Sequence, residues 1–352
     1  MESVEVKLYT VAQIRDWLEH NKPVNGLTNE VIQPAFAWSL MNHPDVLEND
    51  PIVAAIYDHG NLAASTCAFP EVLVKPIYRD ENGNTKRIWW FPMLWVKKQY
   101  EGKGYGLVAI GSLAEVYGLD CAWTAWAVQE SIEIFELLGC KTYYFPHYFM
   151  QDKHICTVSF RGKLAYVKQK VNKWWNYRKK PNLPHFDYFV RYLNYVDDLS
   201  YNFICRHSKD NFLLSSQRAL NWAIQYPRRL SMPLAERVPK DGEYFQEIPT
   251  RFQNMFVQVW SSNNELIGVY LLKHGEKGVT FDFIYYEESA ADIVFASAVE
   301  HIIKLKVTHC ETEDGELAKY IQKYLYFPKC RKEDLSLSIS SKVPFPDNFV
   351  KL

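Results

Sequence analysis

An apolar run ending in Leu94-Trp95-Val96 passes through Lys97-Lys98-Gln99-Tyr100 into Glu101-Gly102-Lys103-Gly104-Tyr105-Gly106, where a helical pattern begins. Glycines at alternate positions between a strand and a helix are the residue types that form an anion cradle. The first amide N–H groups of a helix have no partner inside it, and the helix dipole adds partial positive charge there. Glycine lets an oxyanion approach the backbone with no Cβ in the way. The chemistry on offer is capture of a phosphate or diphosphate, to which Lys103 can add a charge. The same letters also suit a plain turn, so the spacing by itself leaves both readings open. Groups that could move protons are sparse. Tyr144 and His147 lie on a downstream apolar run, and His59 lies in a turn.

The elements that must position these residues follow from periodicity. Residues 8–50 read as helices and turns, with Val11, Ile14, Trp17 and Leu18 at helical spacing. Ile52–Tyr57 and Leu62–Phe69 flank Asp58-His59-Gly60-Asn61, a hairpin. The turn Asp80–Asn84 leads into the strand Arg87–Val96. A helix follows over Gly106–Tyr117, stopped by Gly118. Then come a strand (Cys121–Val128), a short helix (Glu130–Leu138, stopped by Gly139) and a strand (Tyr143–Met150). After a less regular stretch the order resumes: helix Phe212–Tyr226, hairpin Met255–Trp260 and Leu266–Leu272, strand Val279–Tyr285, helix Ala290–Lys304, strand Val307–Cys310 and helix Glu316–Lys323. The same succession thus occurs twice without a residue-level repeat, which predicts two divergent copies of one α/β architecture. The expected division is 1–150, a connector or insertion at 151–200, and 201–352.

Composition narrows the function classes. The chain has 352 residues, 40 Lys and Arg against 41 Asp and Glu, and a net charge of −1. That balance speaks against a nucleic-acid partner, which needs a basic face. Seven cysteines without a C-x-x-C pair speak against a disulfide framework or a metal site and fit a reducing cytoplasm. The N-terminal residues lack the pattern of a signal peptide, and no stretch approaches the ~18 apolar residues of a membrane span. One basic and aromatic run, Lys168–Lys180, reads either as a solvated face or as a contact for an anionic surface.

The segment Leu94–Gly106 resembles the coenzyme A diphosphate loop of the GNAT superfamily of acyl-CoA N-acyltransferases. That loop reads Gln or Arg, two residues, Gly, one residue, then Gly or Ala. In the preferred register Glu101 takes the first place and Gly104 and Gly106 the glycine places; a register two residues earlier, from Gln99, fits the letters fully. Glu130–Cys140 is similar to the family's later helix, and the resemblance covers residues 50–150. It implies an α/β fold, a mixed sheet with flanking helices, duplicated here. It implies that acetyl-CoA enters a wedge between Arg87–Val96 and Cys121–Val128, held by Leu94, Val96, Glu101, Gly102, Lys103, Gly104, Tyr105 and Gly106. The reaction implied is direct attack of an amine on the thioester.

Three departures stand out. Glu101 puts a carboxylate at the Gln/Arg place, which is unfavourable beside a diphosphate unless its side chain points away. Phe135 occupies the place of the tyrosine that protonates the leaving thiolate, and Val128 the place of an asparagine. The remaining candidates for the catalytic groups are Tyr144 and His147. In the second half the matching junction, Phe283–Ala291, has no glycine and carries Glu287 and Glu288, which disfavours a diphosphate. The expectation is a cytoplasmic acetyltransferase acting on a small amine, for instance an amino sugar. The alternatives are a non-catalytic acyl-CoA-binding protein and a two-domain aminoacyl transferase of the peptidoglycan-bridge type.

Overall fold

A computed structural model describes residues 4–20, 22–75, 79, 82–118, 122–125, 127, 129–151, 183–208, 214–225, 252–275, 278–307, 309–325 and 329–343. The basic run Lys168–Lys180, Val128, Cys121 and Cys156 lie outside them. In chain order the elements begin β1 (Val4–Thr10), α1 (Val11–His20), α2 (Pro34–Met41), β2 (Pro51–Asp58), β3 (Asn61–Glu71), β4 (Leu73–Lys75) and β5 (Ile88–Val96). They continue α3 (Tyr105–Tyr117), β6 (Ala122–Ala125), α4 (Gln129–Leu137), β7 (Cys140–Gln151), β8 (Tyr188–Leu193), α5 (Asp198–His207), β9 (Leu214–Ser215) and α6 (Gln217–Gln225). The last are β10 (Phe252–Ser261), β11 (Leu266–Gly275), β12 (Val279–Tyr286), α7 (Ala291–Leu305), β13 (His309–Thr312), α8 (Gly315–Tyr324) and β14 (Lys329–Ser340). The class is mixed α/β. Among the described residues, no helix is long and apolar enough to cross a membrane.

The chain forms two compact units that interleave in sequence. The first holds Met1–Phe145, Lys209–Thr250 and Leu335–Leu352; the second holds Pro146–Ser208 and Arg251–Asp334. In the first unit the strands run β1-β2-β3-β5-β6-β14-β7. The pairings of β1 with β2, β2 with β3, β3 with β5 and β6 with β14 are antiparallel, and β5 with β6 is parallel. The last residues of β14 lie between β6 and the start of β7: Leu337 faces Ala125, and Ser341 N–H donates to Gly139 O at 3.3 Å. Their alternating apolar residues Leu337 and Ile339 join Tyr143 and Ile88 in a buried cluster. The larger core gathers Ile14, Trp17, Ile52, Phe69, Phe91 and Leu113, so the apolar face of α1 is buried as its spacing requires.

In the second unit the order is β7-β13-β12-β11-β10-β8, with β12 and β13 parallel. Its core is built from β10–β12 and the apolar faces of α7 and α8, including Val257, Leu272, Phe281, Val294, Ile302 and Leu317. Asp197 and Asp314 cap α5 and α8 by accepting from Ser200 N and Leu317 N.

The two units repeat one construction. Each has antiparallel strands leading to a strand (β5, β12) that pairs in parallel with a later one (β6, β13). In each, a single 3-10 turn, Lys98–Tyr100 or Glu288–Ala290, precedes the crossover helix. Each also has a bulge directly after the last parallel pair. In β5, Phe91 and Pro92 together face Ala68, since Cys67 pairs with Met93 and Phe69 with Trp90. In β12, Asp282 is the extra residue between Phe281 and Phe283.

Some expectations need correction. The N-terminal residues begin with a strand, β1, before the helical pattern starts. Within the span Phe212–Tyr226 expected to be one helix, Leu214–Ser215 form the short strand β9 and the helix is Gln217–Gln225, with Ser216 Oγ accepting from Ala219 N; Phe212, Leu213 and Tyr226 lie outside the described residues. The stretch expected to be less regular contains β8 and α5.

Candidate functional site

The site is built from β5 upward. Lys97 N–H donates to Ala63 O on β3 at 2.8 Å, so by alternation Met93 and Trp95 also turn their backbone groups toward β3. Leu94 and Val96 therefore turn theirs toward the other edge. The pairings of β5 with β6 there are Trp89 with Ala122 and Trp90 with Trp123, and Thr124 Oγ1 donates to Phe91 O at 2.8 Å. The bulge at Phe91 and Pro92 then resets the alternation, and Pro92 brings no N–H of its own. The amides of Leu94 and Val96 thus face an edge that carries no described β6 pairing.

Past Val96 the 3-10 turn leads to Glu101, and the chain reaches α3 through Gly102 and Gly104. Both adopt the left-handed region, with φ of 77° and 81°, which a side chain would strain. Among the described residues, a Cβ at either would meet nothing within 4 Å. Gly104 is the N-cap of α3, no side chain caps that helix, and no acidic residue occupies its first turn. Gly106 serves another purpose. A Cβ there would stand 3.3 Å from Leu94 Cδ2 and Val96 Cγ2, so its absence lets α3 start close against β5. Of the sequence candidates, Leu94, Val96, Glu101, Gly102, Lys103, Gly104, Tyr105 and Gly106 thus share one strand–loop–helix junction in the first unit, with Glu101 exposed.

Sequence reasoning missed two residues here. Pro92, in the interior of a strand pattern, was the available signal for the bulge. Asp58, at the end of β2, accepts the Tyr105 hydroxyl at 3.0 Å and lies 3.7 Å from Lys103 Nζ.

Phe135 is buried, 2% exposed, and meets Phe91 edge-on at 5.6 Å between centroids. Tyr144 lies in the first unit, 44% exposed on β7. His147 lies in the second unit, buried between two carboxylates: Glu311 at 3.5 Å from Nε2 and Glu313 at 3.7 Å from Nδ1. These are charge contacts rather than hydrogen bonds, and Nδ1 has no hydrogen-bond partner among the described residues. Burial alone would lower the His147 pKa, but Glu311 and Glu313 outweigh it and hold the ring at about 9. Burial would raise Glu311, but His147 and His309 bring it down to about 2. Burial pushes Glu313 up against the pull of His147. At neutral pH His147 is therefore an imidazolium, able to give a proton and unable to take one.

At the second unit's equivalent junction, Glu287 precedes the 3-10 turn, Glu288 lies in it, and Ala290 caps α7 in place of a glycine. The 3-10 turn and crossover helix recur here, but the turn runs directly into α7, with Ala290 at φ −111° where the first unit has the left-handed Gly104, and the side chains carry the opposite charge from the one a diphosphate needs.

No protein-family profile and no curated protein sequence matches the chain. Among solved structures, it is similar to N-myristoyltransferase of Saccharomyces cerevisiae with bound myristoyl-CoA: 12% identity over 96% of this chain and 82% of that one, TM-score 0.51. It is also similar to a GCN5-related N-acetyltransferase from Anabaena variabilis, at 8% identity over 95% of this chain and 72% of that one, TM-score 0.50. These likenesses show the fold, that of the GNAT proteins.

Proposed function

We propose that the protein is a cytoplasmic acyl-CoA-dependent N-acyltransferase that moves an acetyl group from acetyl-CoA to a small amine. The observation that carries this reading is the junction of β5 and α3 in the first unit. A bulge aims two amides at a strand edge that carries no described β6 pairing, and two left-handed glycines lead a few residues on into a helix start that no described side chain caps. Diphosphate oxygens at the helix start and a pantetheine arm along Leu94 and Val96 would satisfy both. With the thioester carbonyl beside the re-aimed amides, developing negative charge on its oxygen is stabilised when a neutral amine attacks. The C–N bond forms, the C–S bond breaks, and the amine's proton leaves to solvent or a base as the thiolate is protonated.

A second reading, an acyl-CoA-binding protein without turnover, is favoured by the burial of Phe135 where a phenol would serve as acid. Release of free thiol from acetyl-CoA, assayed over a panel of small amines including amino sugars, separates the two. Amine-dependent release supports the transferase. Binding of acetyl-CoA with no release over any amine would leave the binding protein as the better reading.

A further inference from the structure

The Asp58 carboxylate is an anion placed beside a cradle that the reading above assigns to an anion. It ends β2 at the tight turn with His59 and Gly60, whose φ values are 50° and 76°. Its side chain is only 10% exposed. Oδ2 accepts the Tyr105 hydroxyl at 3.0 Å and faces Lys103 Nζ at 3.7 Å, while Oδ1 lies 3.6 Å from His59 Nε2. Tyr105 and Lys103 are the residues on either side of Gly104, the helix N-cap. One buried carboxylate therefore holds both flanks of the cradle, by two unlike bonds. The Tyr105 bond has ordinary hydrogen-bond length. The Lys103 contact is longer, and the lysine side chain is 51% exposed, so it can turn elsewhere at little cost.

We propose that Asp58 is a positioning residue that fixes the start of α3 through Tyr105 and competes with the bound diphosphate for Lys103. In the unliganded protein Lys103 neutralises Asp58. When a diphosphate arrives, Lys103 moves to it at the expense of its contact with Asp58, while Asp58 keeps Tyr105 in place. Asp58 thereby lowers affinity for the cofactor while setting the geometry that receives it, which favours product release. This inference rests on the acyl-CoA reading of the same loop.

The test is calorimetric titration of coenzyme A, at low and moderate salt, into the wild type, Asp58→Asn, Tyr105→Phe, Lys103→Met and the Asp58→Asn/Lys103→Met double variant. Asn keeps an acceptor for Tyr105 and removes the charge, so Asp58→Asn binds about three- to tenfold more tightly, the gain shrinking with salt. Tyr105→Phe and Lys103→Met each bind more weakly by a similar factor. In the Lys103→Met background the gain from Asp58→Asn disappears, because nothing remains to compete for. Unchanged or weaker binding in Asp58→Asn, or a gain that persists without Lys103, overturns this role and leaves the acyl-CoA reading standing. A wild type that does not bind coenzyme A overturns that reading and this role together.

Discussion

At the scale of single residues, the chemistry is decided by burial that spacing does not reveal. Phe135, which the sequence resemblance aligns with a tyrosine, packs at 2% exposure against Phe91. Adding a hydroxyl there buries a polar group without a partner, at a cost of about 1–3 kcal/mol. Phe135→Tyr should therefore lower the urea midpoint without raising turnover; a clear rise in turnover would show that a waiting acid site had merely been emptied.

His147 makes a different residue-scale prediction. Its folded pKa of about 9 lies above the unfolded value of about 6.5, so its contribution to stability is complete below pH 6.5 and is lost as pH rises through 9. Glu311, held at about 2, contributes above its unfolded value and loses that contribution only as pH falls through 2. The His147–Glu311 pairing is common to both shifts and counts once. Urea unfolding should show stability falling between pH 6.5 and 9.5 by on the order of 1–2 kcal/mol. His147→Gln should flatten that decline, and an unchanged slope would remove the carboxylate pairing as its cause. None of this was legible in the sequence. Glu311 and Glu313 are far from His147 along the chain and meet it only because β13 lies beside β7.

At the scale of elements, the sequence shows most of what builds the cradle. The apolar run into β5, the glycines before α3 and the stop at Gly118 stand in the structure where their patterns place them. What the linear order hides is pairing. β14 enters the first unit between β6 and β7, and no local pattern announces a neighbour some two hundred residues away. The bulge in β5 is an intermediate case: Pro92 marks it, but the alternating register of β3 is needed to see which amides it redirects. Gly106 gives this scale its prediction. It occupies a contact surface rather than the cradle, so Gly106→Val should lift α3 from β5 and cost about 1–3 kcal/mol in unfolding stability. Gly102→Ala strains the backbone beside open space, so it should weaken coenzyme A binding with less loss of stability. The reverse ordering of stability losses would mean that the roles of the two glycines are exchanged.

At the scale of the whole molecule, one construction is used twice and equipped once. Both units carry the bulged strand, the 3-10 turn and the crossover helix. Only the first presents glycines at the turn, while the second presents Glu287 and Glu288. A charge of that sign at a helix start fills the role a diphosphate would take, so the duplicated fold should hold one coenzyme A per chain. A crystal structure of the acetyl-CoA complex tests whether the molecule binds acyl-CoA at the β5–α3 junction. It should show one cofactor per chain, its diphosphate within hydrogen-bond distance of the backbone amides at the start of α3, and its pantetheine arm along Leu94 and Val96. A diphosphate seated at the Glu287–Ala291 junction, or a saturated crystal with the first cradle empty, would contradict it.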